Sequence, residues 1–295
     1  MPSAVTRSRA AMLWMLLAVL VFALMDAGMK ALAHAYSPFQ IATLRALAAL
    51  PLIVAWIIRN RGVGTLWRIH WWLHLLRGML GVGMIAGFVY GLARMPLSTA
   101  YSIVFVSPLL VTALAVPLLG ENVGPRRWTA IAIGLVGVLL VLRPGGGGVG
   151  TLAGLAVIGG ALCYAVASIT VRVLAQRDST EALVFWFLVL MAVFAGALAL
   201  PDWRPIQAGH WPVIALIGLS GAIGQVTLTH AFRLGEASQV APLEYTALVW
   251  VVLIDLIVWN VLPDAMTWLG AGVIVLSGLY LFRRERVRAH PVSVP

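Results

Sequence analysis

Two pairs of charges stand where charges are costly. Asp26 and Lys30 lie four residues apart in an otherwise apolar stretch, and Glu244 and Asp255 lie eleven apart in another. An ionisable group in a hydrocarbon environment is expensive, so each is a functional candidate by default. Four-residue spacing puts Asp26 and Lys30 on one helix face, where they would line a pathway or neutralise each other as a structural ion pair. Eleven helical steps return Glu244 and Asp255 to nearly one face, about 16 Å apart along the axis. Either would bind an ammonium group or carry a proton; Asp255 would equally serve as a carboxylate tied to a neighbouring helix. Arg45 enters the next apolar stretch and would share Asp26, whereas Arg77 lies near the end of its stretch and would snorkel.

Rings form the second set. Tyr90, Tyr101, Phe105, Tyr164, Trp186, Tyr245 and Trp250 fall within apolar stretches rather than at their tips, and Gln225, Thr227 and His230 add polar groups. A ring-lined cavity suits planar or cationic substrates through stacking and cation–π attraction. The candidate substrate-binding residues are therefore Asp26, Lys30, Tyr90, Tyr101, Phe105, Tyr164, Gln225, His230, Glu244, Tyr245 and Trp250. His70 and His74 have metal-ligand spacing, but no acidic or cysteine partner stands near them, so no metal or cofactor is expected and both read as interfacial. Cys163 is the single cysteine. No His, Asp and Ser combine at a spacing useful for catalysis, and no loop is long enough for a separate catalytic domain, so the chain does not read as an enzyme.

The elements that must position these residues are long apolar helices. Of 295 residues, 62% are hydrophobic and 10% charged, with a mean hydropathy of +0.99. A soluble domain carries about 25% charged residues, and this chain lacks the polar surface to coat a soluble globule. Ten stretches approach the roughly 20 apolar residues that a span needs: 10–33, 38–58, 73–93, 97–118, 126–142, 152–175, 180–200, 211–233, 238–260 and 265–282. The net charge of +10 is not a nucleic-acid signal, because the cations cluster at span ends. Arg7, Arg9, Arg59, Arg61, Arg68, Arg126, Arg127, Arg172, Arg177, Arg233 and the Arg283–Arg288 cluster occupy one set of flanks. Only Lys30, Arg94, Arg143 and Arg204 occupy the other. The positive-inside rule then puts both termini in the cytoplasm.

The second half repeats the first. At an offset of 140, His70-Trp71 meets His210-Trp211, Gly78 meets Gly218, Gly81 meets Gly221, Ser98 meets Ser238 and Trp128 meets Trp268. Five spans per unit is an odd number, so the units cross the bilayer in opposite senses, an arrangement suited to alternating access. The expected fold is an all-α integral membrane protein of ten transmembrane helices in two inverted five-helix repeats. The repeats are 10–143 and 152–283, joined by a Gly-rich segment at 144–151 and followed by a basic cytoplasmic tail at 284–295. The repeat pairs Tyr90 with His230, Phe22 with Tyr164 and Phe105 with Tyr245, and each pair is expected to face across a pseudo-two-fold axis. Glycines on spans 3 and 8 would allow close helix approach, and spans 4 and 5 would form a peripheral pair.

Arg45 in span 2, Pro108, Leu119-Gly120-Glu121, Trp128 with Gly134 and Gly137, and the run Ala241–Trp250 together resemble the drug/metabolite transporter superfamily, in its EamA-like ten-span branch. The second unit departs from the pattern, with Leu248 opposite Pro108 and Asn260-Val261 opposite Gly120-Glu121, which puts its helix bend in doubt. The resemblance implies a multi-pass carrier of small metabolites in the inner membrane, often an exporter of amino acids, aromatic ones among them. Ten spans with an internal repeat would suffice to work as a monomer. Carriage of a nucleoside, vitamin or cationic drug is the alternative.

Overall fold

The computed structural model describes residues 4–60, 63–67, 69–120, 124–142, 151–174, 177–234 and 241–289. The joint at 144–151 therefore lies outside the described residues except for Thr151, as does the end of the tail, 290–295. Among the described residues the structure is all helical. The α-helices are α1 (Ala4–Leu32), α2 (Pro38–Asn60), α3 (Trp71–Leu92), α4 (Leu97–Val104), α5 (Ser107–Leu119), α6 (Pro125–Leu142), α7 (Thr151–Leu174), α8 (Thr180–Ala199), α9 (Trp211–Leu234), α10 (Ala247–Trp259) and α11 (Ala265–Ala289). Among the described residues, seven stretches are long and apolar enough to cross a membrane, one of them running through α4 and α5. Trp128–Leu142 and Ala265–Tyr280 are shorter apolar helices. Large apolar side chains point away from the bundle, as with Ile257 at 78% exposed and Leu276 at 68%. Such a surface suits lipid and not water.

Two expected spans are interrupted. The first breaks between α4 and α5, where Pro108 at the start of α5 has no amide hydrogen to continue the helix. Ser107 Oγ donates to the Val104 carbonyl at 2.6 Å, occupying a backbone group that the break frees. The second opens as a 3₁₀ turn, Ala241–Thr246, before α10, and there Thr246 Oγ1 donates to Leu243 O at 2.6 Å. So the second unit is interrupted with Leu248, not a proline, at the position equivalent to Pro108, and a hydroxyl again satisfies a freed backbone group. α5 and α10 start and stop 140 residues apart. Both end on a left-handed residue, Gly120 at φ 68° and Asn260 at φ 52°. Asparagine tolerates that conformation better than other non-glycine residues, which explains how Asn260 replaces Gly120.

The closest helix pairings all join one half of the chain to the other: α1 packs on α9, α3 on α7, α2 on α8 and α6 on α11. Glycines permit the approach. A Cβ on Gly137 of α6 would lie 2.9 Å from the Gly270 carbonyl oxygen of α11, and one on Gly160 of α7 would lie 2.9 Å from the Met84 oxygen of α3. α6 thus packs on α11 and not chiefly on α4 or α5, with which it was expected to form a peripheral pair. α4 instead packs inward against α7 and α10.

The connections lock the two ends of the bundle. At the end bearing Leu32, Gln40 Nε2 donates to Arg204 O at 2.6 Å, and Tyr36 Oη contacts His210 Nδ1 at 2.8 Å. At the opposite end Trp186 Nε1 donates to Leu66 O at 2.8 Å. There α8 starts on a serine cap, with Ser179 Oγ accepting from Ala182 N at 3.1 Å.

Candidate functional site

Lys30 does not pair with Asp26. Its Nζ lies 2.7 Å from Asp255 Oδ1 and 4.1 Å from the centroid of the Trp259 ring. Asp255 is fully buried. Its carboxylate also accepts from Leu97 N at 3.1 Å, from Ser98 N at 2.7 Å and from Ser98 Oγ at 2.7 Å. Leu97 and Ser98 open α4, whose first amides have no partner within the helix and carry the positive end of its dipole. One carboxylate thus joins α1, α4 and α10 near the Leu32 end. The expected shared face of Glu244 and Asp255 is lost, because Glu244 lies in the 3₁₀ turn and Asp255 in the α-helix beyond it. A uniform 100° step does not hold across that junction.

Asp26 has a different partner. Tyr101 Oη donates to Asp26 Oδ2 at 2.5 Å, and Arg45 attracts the same carboxylate electrostatically. Tyr101 begins a ladder of tilted rings. It lies edge-on to Phe88 at 5.8 Å between centroids and to Phe105 at 5.9 Å, and Phe105 meets Tyr245 at 5.1 Å. The ladder crosses from the first interrupted span to the second and brings Asp26, Tyr101, Phe105 and Tyr245 into one cluster. Glu244, next in sequence to Tyr245, lies within electrostatic reach of both Tyr245 and Tyr164.

The other candidates lie elsewhere. Tyr90 sits at the Leu32 end with the Arg94 guanidinium 3.6 Å above its ring. His230 packs on Trp14 at 5.5 Å, and its Nδ1 donates to Val226 O at 2.9 Å. The pair Tyr90 and His230 therefore does not face across an axis. Tyr164 is 42% exposed, and its repeat partner Phe22 lies against Gly224. Of the three expected pairs, only Phe105 and Tyr245 meet. Gln225 lines a cavity with Arg45 and Arg77. Trp250 is partly buried, and its Nε1 is buried with no hydrogen-bond partner.

His70 and His74 have an acidic partner after all. Asp178, in the connection before α8, places Oδ1 2.8 Å from His70 Nδ1 and Oδ2 2.9 Å from His74 Nε2, and also accepts from His70 N at 3.1 Å. A carboxylate only accepts, so both rings donate to it. Burial pushes the Asp178 carboxyl up, but the hydrogen bonds from His70 and His74 outweigh it and hold the group below the usual range. Asp178 escaped notice because it stands 104 residues beyond His74, in a stretch that reads simply as a helix start. Ser98 escaped for a related reason: a lone serine at a span end carries no signal until a carboxylate arrives.

The sequence profile of the EamA-like transporter family matches residues 9–143 and 151–283. The chain is 32% identical over 295 residues to a riboflavin transporter of Rhizobium johnstonii, covering 97% of this chain and 95% of that one. It is 28% identical over 273 residues to the pseudopaline exporter CntI of Pseudomonas aeruginosa, covering 92% and 95%. A solved crystal structure aligns with 94% of this chain and 99% of its own at a TM-score of 0.64 and 22% identity, which is a likeness of fold.

Proposed function

This chain belongs to the EamA-like transporter family, and from that premise we propose that it carries a small metabolite with a planar ring by alternating access. It is a multi-pass membrane transporter and not an enzyme. The observation that carries the substrate reading is the ring ladder joining the two interrupted spans beside the Asp26–Tyr101 hydrogen bond. Interrupted helices are tolerated at membrane depth where their backbone lines a cavity, and secondary transporters place substrate there.

We read the chain as ten spans in two inverted five-helix repeats acting as a monomer. The matching limits and caps of α5 and α10 support this. So does the exchange of packing partners, since the repeat carries the α1–α9 pairing onto α7–α3. The arginine-rich flanks support termini in the cytoplasm and a place in the inner membrane. In this reading the Leu32 end faces outward and is closed by the Lys30–Asp255 tie. The position 140 residues before Asp255 is Ala115, so the repeat places no second carboxylate there.

Export of aromatic amino acids satisfies the rings and the buried carboxylates together. A flavin is the second reading, favoured by the riboflavin transporter of Rhizobium johnstonii, to which this chain is 32% identical. Counterflow into proteoliposomes loaded with tryptophan or riboflavin, with and without a pH gradient, tests both. Saturable exchange of either compound supports the carrier reading, and exchange of neither removes the planar-ring substrate.

A further inference from the structure

A cavity of about 60 Å³ lies among α2, α3, α8 and α9, lined by Arg45, Arg77, Gln225 and Phe187 with aliphatic walls. Pockets that enclose a whole ligand run to roughly 300–1,000 Å³, so this one would take only an end of a molecule. Its charge balance is unusual. Arg45 Nη1 is buried and has no hydrogen-bond partner, and Arg45 Nε reaches only the Met25 thioether, at 3.3 Å. Arg77 donates through Nη1 to Leu183 O at 2.6 Å and lies over the Phe187 ring at 4.5 Å. Among the described residues, neither guanidinium has a carboxylate within 4.0 Å. Asp26, which attracts Arg45, already accepts from Tyr101.

A desolvated cation with no counter-ion in contact is unfavourable, and Asp26 attracts Arg45 without reaching it as an ion pair. A guanidinium presents a planar fork of donors that matches the oxygens of a carboxylate or phosphate. Two such forks on one small cavity, one with an unused buried donor, suit an anion. We propose that the Arg45–Arg77 cavity is an oxyanion subsite that seats the carboxylate or phosphate of an aromatic substrate. The inference rests on the carrier reading above and narrows its substrate to aromatic anions.

Two matched pairs of probes test it on the purified full-length chain by isothermal titration: indole-3-acetate against indole-3-acetamide, and flavin mononucleotide against riboflavin. The first pair reports carboxylate and the second phosphate. In at least one pair the anion should bind about tenfold more tightly than its neutral analogue. Arg45→Gln with Arg77→Gln should remove that preference. Equal binding of both members in both pairs, or a preference that survives the double substitution, overturns the subsite. Should the double variant not elute as a monodisperse protein, Arg45→Lys carries the test, because it keeps the charge and removes the fork. A preference unchanged in Arg45→Lys overturns the assignment. Saturable flux without anion preference leaves the carrier reading standing and removes the subsite. Arginine-dependent binding without flux does the reverse.

Discussion

Lys30 and Asp255, 225 residues apart, meet at 2.7 Å, while Asp26, one helical turn from Lys30, binds Tyr101 instead. The two buried charges of α1 thus serve different neighbours. One ties the helix to α4 and α10, and the other joins the ring ladder. This division sets the expected consequences of mutation.

Removing Asp255 should harm the fold more than removing Lys30. Asp255→Ala leaves a buried ammonium and the α4 amides without an acceptor, a loss of about 3–5 kcal/mol. Lys30→Met leaves Asp255 still held by three α4 donors. Thermal unfolding in detergent should therefore show the larger fall in Tm for Asp255→Ala. Equal falls would mean that the helix-terminal contacts contribute nothing.

Tyr101→Phe keeps the ring contacts but strips the donor from Asp26. The buried carboxylate should then destabilise the protein by about 1–3 kcal/mol. Counterflow should fall well beyond the change in folded protein. Unaltered flux would remove the Asp26–Tyr101 pair from the pathway.

Asp178 links stability to pH. Its folded carboxyl lies below the ordinary value, so its contribution is complete above about pH 4 and is lost as pH falls through the folded value. The Tm difference between wild type and Asp178→Asn should be constant at neutral pH and shrink below about pH 4. A difference that does not change with pH would contradict the ionised contact with His70 and His74.

Gly137→Leu should separate α6 from α11, because even a Cβ at that site meets the Gly270 carbonyl oxygen at 2.9 Å. Overpacking of this kind costs about 1–3 kcal/mol. Gly272→Ala is the control, since nothing lies within 4 Å of a Cβ there. Yield of monodisperse protein should fall for the first and hold for the second.

The orientation is testable at the joint. In a Cys163→Ser background, a cysteine at position 147 in place of glycine should react with an impermeant thiol reagent added outside intact cells. Labelling only after the membrane is opened would reverse the proposed topology.

Sequence alone determined the membrane class, most of the helical elements but not the two interruptions, and the list of costly charges. These follow from properties that each residue or short run carries by itself: apolar length, proline and glycine punctuation, and charge in an apolar stretch. The offset of 140 was also legible, and it reappears in the limits and caps of α5 and α10. Which polar groups meet was decided only by the tertiary structure. Lys30 with Asp255, and Asp178 with His70 and His74, are contacts between opposite halves of the chain that no single segment announces, whereas the repeat alone had already paired Phe105 with Tyr245. Helical spacing along one segment left Asp26 and Lys30 as pathway residues or as an ion pair, and put Glu244 and Asp255 on one face. The ion pair does not form, because a pairing depends on two surfaces at once, and a 3₁₀ turn before α10 breaks the periodicity assumed for Glu244 and Asp255.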